Sequence, residues 1–370
     1  MRKFLFPLMV VLAGIMISGS TCTPDCCVPG TSVISVDKTA LTYDYEGTLL
    51  GTPLTIIVTP ASMTIKITGP SWFDVVAMEP SINFGGPRSG VATILAANGD
   101  MVKITITQEG VSEDPDFQEF PGDDAAWVTN RTSPSDWQFL ALYQGKEDVT
   151  EMTFDETTAL SARPAGQQTN YYNWQGQGIP VDNLSNSEDW IVTAEVYISA
   201  EMVNTNSDVP FAVGIWGETL QTVVPPGAPT AWPIICATNI FTDPVVPYLV
   251  GGNCMNYPSP GGKNPKWYFW DSSTGDYVEG PALTVGWHQV TIVPDVTPSP
   301  ANPKKIQYYI DGVLCNEYEL ETTAEDAVLN QVMLLSYNFS EIAGTAPNVA
   351  QDCPGYEFKA YFANIGALVK

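Results

Sequence analysis

The chain has 370 residues, 44% hydrophobic and only 15% charged, and its 41 acidic against 15 basic residues leave a net charge of −26. That length holds two or more domains with sizeable cores, and so little charge leaves the surface to Thr, Ser, Asn, Gln and Gly. An acid excess of this size repels phosphate backbones and anionic membrane surfaces, which excludes nucleic acid and favours a neutral partner or one bridged by a cation.

Arg2 and Lys3 precede a short apolar run, Phe4 to Ile17, and Ser18, Gly19, Ser20 and Thr21 supply small residues before Cys22. The run is too short to span a bilayer, so residues 1–21 read as a cleaved export signal. No later stretch is long and apolar enough for a membrane span. Small residues followed by Cys resemble a bacterial lipoprotein signal, in which the cysteine is lipidated. Thr21 and Gly19 depart from the residues usual at their positions, and ordinary secretion is the alternative. The resemblance implies an outer-membrane or cell-surface protein held by lipid on Cys22, with residues 22–31 as a tether; otherwise the chain is secreted or periplasmic.

Cys22, Cys26 and Cys27 cluster at the mature start, and Cys236, Cys254, Cys315 and Cys353 lie in the second half. None has the two-residue spacing of a zinc pair. Export permits disulfides, and four cysteines allow three connectivities that sequence does not separate. Cys236 with Cys254 and Cys315 with Cys353 is the expected pairing; buried free thiols are the alternative.

From residue 32 to residue 110 short strands follow one another: "ALTYDY", "PLTIIVTP", "MTIKITG", "SWFDVVA", "VATILAA" and "MVKITITQ". Gly, Pro and Asn separate them, and no helical period intervenes, which predicts a β-sandwich. Asn98-Gly99-Asp100 suits a hairpin turn because Asn and Gly tolerate positive φ. The frame "ISVDKTALTYDYEG", "GPSWFDV" and "SGVATILAANGDMVKITITQEG" resembles a BACON domain. The resemblance implies an immunoglobulin-like fold at the N-terminus of an exported protein from Bacteroidetes-type bacteria, acting as spacer or carbohydrate binder. Trp72 matches the family's tryptophan and reads as core rather than as a ligand platform.

Residues 111–124 open "VSEDPDFQEFPGDDAAW", an acidic stretch with Pro115, Pro121 and Gly122, and read as a linker. Residues 125–370 are again β. Candidate strands are "WIVTAEVYI", "PFAVGIW", "WPIICAT", "KWYFW", "WHQVTIV", "KIQYYI", "VLCNEYEL", "VMLLSY" and "YEFKAYFANIGALV". Long loops rich in Pro, Gly and Asn join them, and no amphipathic helix exceeds a few turns. This predicts a two-sheet jelly roll, so the fold class is all-β. "GWHQVTI" followed by "KIQYYIDGVLCNEYEL" resembles the laminin-G-like frame of the concanavalin A-like superfamily, with Asp311-Gly312 as its two-residue turn and "YEFKAYFANIGALV" as its closing strand.

His288 is the only histidine. Alternation puts it on one strand face with Val290 and Ile292, facing the row Ile306, Tyr308 and Ile310, so it reads as structural. A nucleophilic triad has no other base to use, and no nucleophile elbow, phosphate loop or dinucleotide fingerprint is present. Laminarinase-like members of the superfamily carry Glu-x-Asp-x-x-Glu on one strand, and this chain has no such string. Glu195 and Glu201 are six residues apart with no Asp between them, and Glu195 reads as a rim or core-edge carboxylate. No catalytic residue is therefore assigned.

The loops are rich in aromatics and amides, the groups that suit the faces and edges of sugar rings. Trp270, Trp267, Asp271, Asn256, Tyr257, Trp174 and Tyr172 are the candidate glycan contacts. In "KWYFWDSSTGDY" alternation separates Trp267 and Phe269 from Tyr268 and Trp270, one pair for the core and the other for a sugar platform. Trp270 is favoured as the exposed partner because it adjoins a polar turn. No cofactor and no metal is expected; the acid excess leaves room for a weak calcium site, although no looped Asp-x-Asp array appears. The reading is a monomeric, lipid-anchored, non-catalytic protein that binds a polysaccharide or a host or dietary glycan. The alternatives are a polysaccharide hydrolase or lyase on the same fold and a protein-binding adhesin.

Overall fold

The computed structural model describes residues 33–59, 65–97, 99–131, 134–155, 173–181, 190–205, 211–220, 233–239, 265–274, 276–295, 305–319, 328–338 and 357–369. The chain divides into two compact units between Asp114 and Pro115. Both are built of strands.

The first unit holds β1 (Val33–Val36), β2 (Ala40–Tyr43), β3 (Ile56–Thr59), β4 (Ile65–Thr68), β5 (Phe73–Asp74), β6 (Glu79–Pro80), β7 (Arg88–Ala96) and β8 (Met101–Gln108). Four form a sheet in the order β2-β8-β7-β4, with β2 and β8 parallel, and β1 pairs with β3. Alternation in β8 buries Ile104 and Ile106 and exposes Lys103 and Thr105. Ile34 from β1 and Leu41, Ala92, Ile94, Ile104 and Ile106 from the sheet share one core, so the unit is a small β-sandwich. Gly99 takes φ +94° in the β7–β8 hairpin, as the turn requires; its expected companion Asn98 lies outside the described residues.

Trp72 stands half-buried, edge-on to Phe73, with the Arg88 guanidinium 4.5 Å from its ring centre. Arg88 donates to Gln108 Oε1 from Nε and Nη2 (2.9 and 2.7 Å) and to Ser81 O (2.6 Å). Gln108 is fully buried, and its Nε2 donates to Tyr45 O and Ser81 O. The ring is thus capped by its own unit. Burial pushes the Arg88 pKa down to about 10, which leaves it charged at neutral pH. Arg88→Ala removes a cation from a buried amide and is expected to cost about 1.5–3 kcal/mol, read by thermal melting.

The stretch expected as a linker belongs instead to the two units. Val111 is fully buried and begins a short 3-10 turn, Val111–Glu113. Phe117–Glu119 forms β9, which lies antiparallel to Gly366–Leu368. Phe120 enters the core of the second unit, its N–H donating to Ile365 O at 2.8 Å. Acidic composition masked three apolar residues at positions 111, 117 and 120, and these decide where the chain goes.

The second unit continues with β10 (Val128–Arg131), β11 (Asp136–Tyr143), β12 (Lys146–Asp155), β13 (Asn173–Pro180), β14 (Trp190–Ile198), β15 (Ala212–Leu220), β16 (Ile234–Thr238) and β17 (Lys266–Asp271). It ends with β18 (Asp276–Ala282), β19 (Gly286–Asp295), β20 (Lys305–Ile310), β21 (Val313–Glu319), β22 (Val328–Asn338) and β23 (Glu357–Val369). Seven strands pair as β10-β13-β22-β15-β16-β17-β18 and eight as β11-β12-β23-β14-β19-β20-β21, with β9 beside β23. Neighbours far apart in sequence, such as β14 between β23 and β19, are the mark of a jelly roll. Between the sheets lies one core, which includes Trp190, Val192, Val196, Ile215, Trp267, Phe269, Val290, Ile292, Tyr308 and Phe362.

Candidate functional site

The expected platform sits on β17 in the seven-stranded sheet, and the alternation is as the spacing predicts. Trp267 and Phe269 face the other sheet: Trp267 is edge-on to His288 (6.0 Å) and Phe269 stacks on Tyr308 (5.3 Å). Trp267 is only 1% exposed, so it is a packing residue and not a ligand contact. On the opposite face Tyr268 is buried as well, and Trp270 is half-buried, edge-on to Tyr277 at 5.0 Å. Asp271 closes the β17–β18 turn, its Oδ1 accepting from Ser273 N (2.8 Å) and Ser273 Oγ (2.5 Å). Asn256, Tyr257, Tyr172, Cys22, Cys254 and Cys353 lie outside the described residues. Trp174 pairs with Tyr337 through the β13 backbone, and its side chain is also outside them. Cys236 and Cys315 are both free thiols, and burial pushes both upward, Cys236 most strongly.

His288 is held at both nitrogens. Nε2 lies 2.8 Å from Thr284 O, an acceptor only, so Nε2 carries a proton and donates. Nδ1 lies 2.7 Å from Asp311 Oδ2 and donates to that carboxylate. Two donations make the ring an imidazolium, and the Asp311 hydrogen bond holds its pKa above the ordinary value of 6.5, against partial burial. Asp311 and Gly312 have φ +50° and +75° and form the two-residue turn between β20 and β21. Gln289 N donates to Asp311 Oδ1 and Asp311 N donates to Gln289 O. The histidine ties β19 to this turn and has no nitrogen left for proton transfer.

The site with open chemistry is the outer face of the eight-stranded sheet. Directly opposed residues of antiparallel strands share a face. Tyr361 in β23 opposes Glu151 in β12, and Tyr197 in β14 opposes Trp287 in β19. Tyr197 meets Tyr361 edge-on at 6.3 Å and Trp287 at 5.3 Å, so an aromatic row crosses β23, β14 and β19. At the tip of the β11–β12 hairpin Tyr143 stacks on Tyr361 at 3.9 Å, and Gln144 O accepts from Trp287 Nε1 at 3.3 Å. All four rings are half-buried, with apolar surface left to water.

Beside the rings runs a polar row. Glu195 opposes Gln289, and Thr193 opposes Thr291. Glu195 Oε2 accepts from Lys146 Nζ (2.5 Å) and from Asn364 Nδ2 (3.0 Å). Asn364 sits at φ +48° where the β14–β23 register shifts, and this bulge aims its amide across the sheet. Glu151 accepts from Lys359 at 2.7 Å. Burial, Tyr143 and the Glu151 carboxylate push the Tyr361 phenol well up, so it stays protonated. Flat rings and fixed hydroxyl, amide and carboxylate edges can hold a saccharide. Each of the two carboxylates is held in an ion pair with an ammonium, Glu195 with Lys146 and Glu151 with Lys359. Among the described residues no group of three or more His, Cys, Asp or Glu side chains could hold a metal ion.

Sequence reading noted Glu195 as a rim or core-edge carboxylate and missed its neighbours. The signal was present in "WIVTAEVYI", where Thr193, Glu195 and Tyr197 alternate with Val192, Ala194 and Val196. "WHQVT" and "KAYFAN" show the same alternation.

Fold and face together define an all-β chain whose second unit is a jelly-roll sandwich with an aromatic, polar outer face. No family model matches the chain and no curated protein matches it, so the BACON resemblance of the first unit is not confirmed. Solved structures of similar architecture include the alginate lyase Aly36B, as a mutant in complex with an alginate trisaccharide, at 10% identity and a TM-score of 0.37, covering 69% of this chain and 99% of that one. An endo-beta-1,4-glucuronan lyase from the fungus Trichoderma reesei follows at 12% identity and 0.31, covering 70% and 92%. A GH131 beta-glucanase catalytic domain from Podospora anserina has 11% identity and 0.31, covering 69% and 85%. At that level of likeness no activity or ligand passes from those proteins to this chain.

Proposed function

We propose that the chain is an exported glycan-binding protein whose second unit takes a saccharide on the outer face of the eight-stranded sheet. The row Tyr361, Tyr197 and Trp287 beside Glu195 and Gln289 carries this reading. Ring faces suit the CH faces of sugars, and the adjoining polar groups suit their hydroxyls. Trp287→Ala is expected to lose about 2 kcal/mol of glycan affinity while the protein stays folded. Affinity measured by calorimetry, with melting recorded in parallel, checks this; unchanged affinity for every bound glycan would count against the face.

A second reading is a polysaccharide hydrolase or lyase using the same face. Tyr143 and Tyr361 in mutual contact beside the Lys146–Glu195 pair favour it, because phenol, ammonium and carboxylate could pass a proton along one site. Release of reducing or unsaturated sugar ends from a polysaccharide panel would support it over simple binding.

Surface anchoring through Cys22 rests on the basic, apolar and small-residue order of the first 22 residues. Metabolic labelling with a fatty acid should mark the wild type and not Cys22→Ala, and equal labelling of both would reject it.

A further inference from the structure

Building on glycan binding at the outer face of the eight-stranded sheet, we infer that the ligand is an uncharged polysaccharide and not a polyuronate or a sulfated chain. Among the described residues three lysines stand on this face, and each is matched to a glutamate. Lys146 pairs with Glu195 at 2.5 Å, Lys359 with Glu151 at 2.7 Å, and Lys305 with Glu317 at 2.5 Å. No arginine is found on the described parts of these strands. A polyuronate carries a carboxylate on every ring, and recognition of such a chain relies on cations that are free to meet it, arginine forks above all.

What the face offers instead is uncharged. Gln289 and Tyr309 stand part-exposed among the ion pairs, and the rings of Tyr197, Trp287 and Tyr361 lie beside them, while the neighbouring Thr193 and Thr291 are buried and hydrogen-bonded to each other. Exposed Glu147 and Asp148 directly follow Lys146, and the whole chain carries −26, so the local and the global field both oppose an approaching polyanion. A neutral chain meets no such barrier. Its hydroxyls can donate to the Glu195 side-chain oxygens and accept from the amides.

The test is calorimetric titration of the protein with a β-glucan, a xylan, a mannan, alginate and polygalacturonate, at low and at high salt. A neutral polysaccharide should bind with little salt dependence, and Trp287→Ala should lower that affinity at least about tenfold. Glu195→Gln frees the Lys146 ammonium, so this variant should bind polyuronate at low salt about tenfold better than wild type and lose that gain at high salt. A Glu195→Gln variant no better than wild type would overturn the charge argument. Wild-type binding to alginate or polygalacturonate that Trp287→Ala abolishes would overturn the inference and keep glycan binding at this face. Binding to no glycan, or binding indifferent to both Trp287→Ala and Tyr361→Ala, would overturn the face itself and the inference with it.

Discussion

Trp267→Ala is expected to remove about 3–5 kcal/mol from the unfolding free energy of the second unit. The indole is fully enclosed between the sheets, and one of its edges meets His288. Removing it leaves a cavity that backbone on both sides cannot close, because β17 is fixed by β16 and β18 and His288 by Asp311 and Thr284. Trp270→Ala should cost clearly less, since its ring is half-buried and packs on one face of Tyr277. Urea titration of both variants separates them. Equal losses would mean that Trp270 is held as firmly as Trp267. A stable Trp267→Ala protein with weakened glycan binding would restore that residue as a platform.

Asp311→Asn is expected to cost about 1–2 kcal/mol at pH 6, and the size of this loss should depend on pH. The exposed side of Asp311 is screened by water, which keeps the figure at the lower end for a charged hydrogen bond. The folded His288 pKa lies above its unfolded value of 6.5, so the folded protein binds the proton more tightly than the unfolded chain. That stabilisation is fully present below pH 6.5 and is lost as pH rises through the folded pKa. Wild-type stability should therefore decline across that window, and Asp311→Asn should flatten the decline. Asparagine also tolerates the positive φ of this turn, so the turn itself is kept. An equal pH slope in both proteins would show that His288 does not exchange its proton in that range.

Much of the second unit was legible from alternation. "WIVTAEVYI" is β14 residue for residue, and "KWYFW", "KIQYYI" and the two-residue turn at Asp311-Gly312 fall where the pattern puts them. These strands read clearly because one face is apolar. The four strands β10 to β13 were not among the expected ones. In β12, "KEDVTEMTFD", a positive φ at Asp148 breaks the alternation, and charged residues stand among the buried ones. In β13, "NWQGQGIP" carries glycines and amides in place of β-branched residues, so neither rule for strands applies to it.

By itself the sequence determined the all-β class, the inward face of most strands and the structural fate of His288, because each follows from local alternation and from the scarcity of alternatives. Only the tertiary structure decided the site. Tyr361, Tyr197 and Trp287 are brought into one row by the pairing of β23, β14 and β19, and Lys146 reaches Glu195 from β12, which β23 separates from β14. Strand order across a sheet is a matter of long-range packing, and the period of two within each strand tells which side a residue faces but not which residue lies beside it.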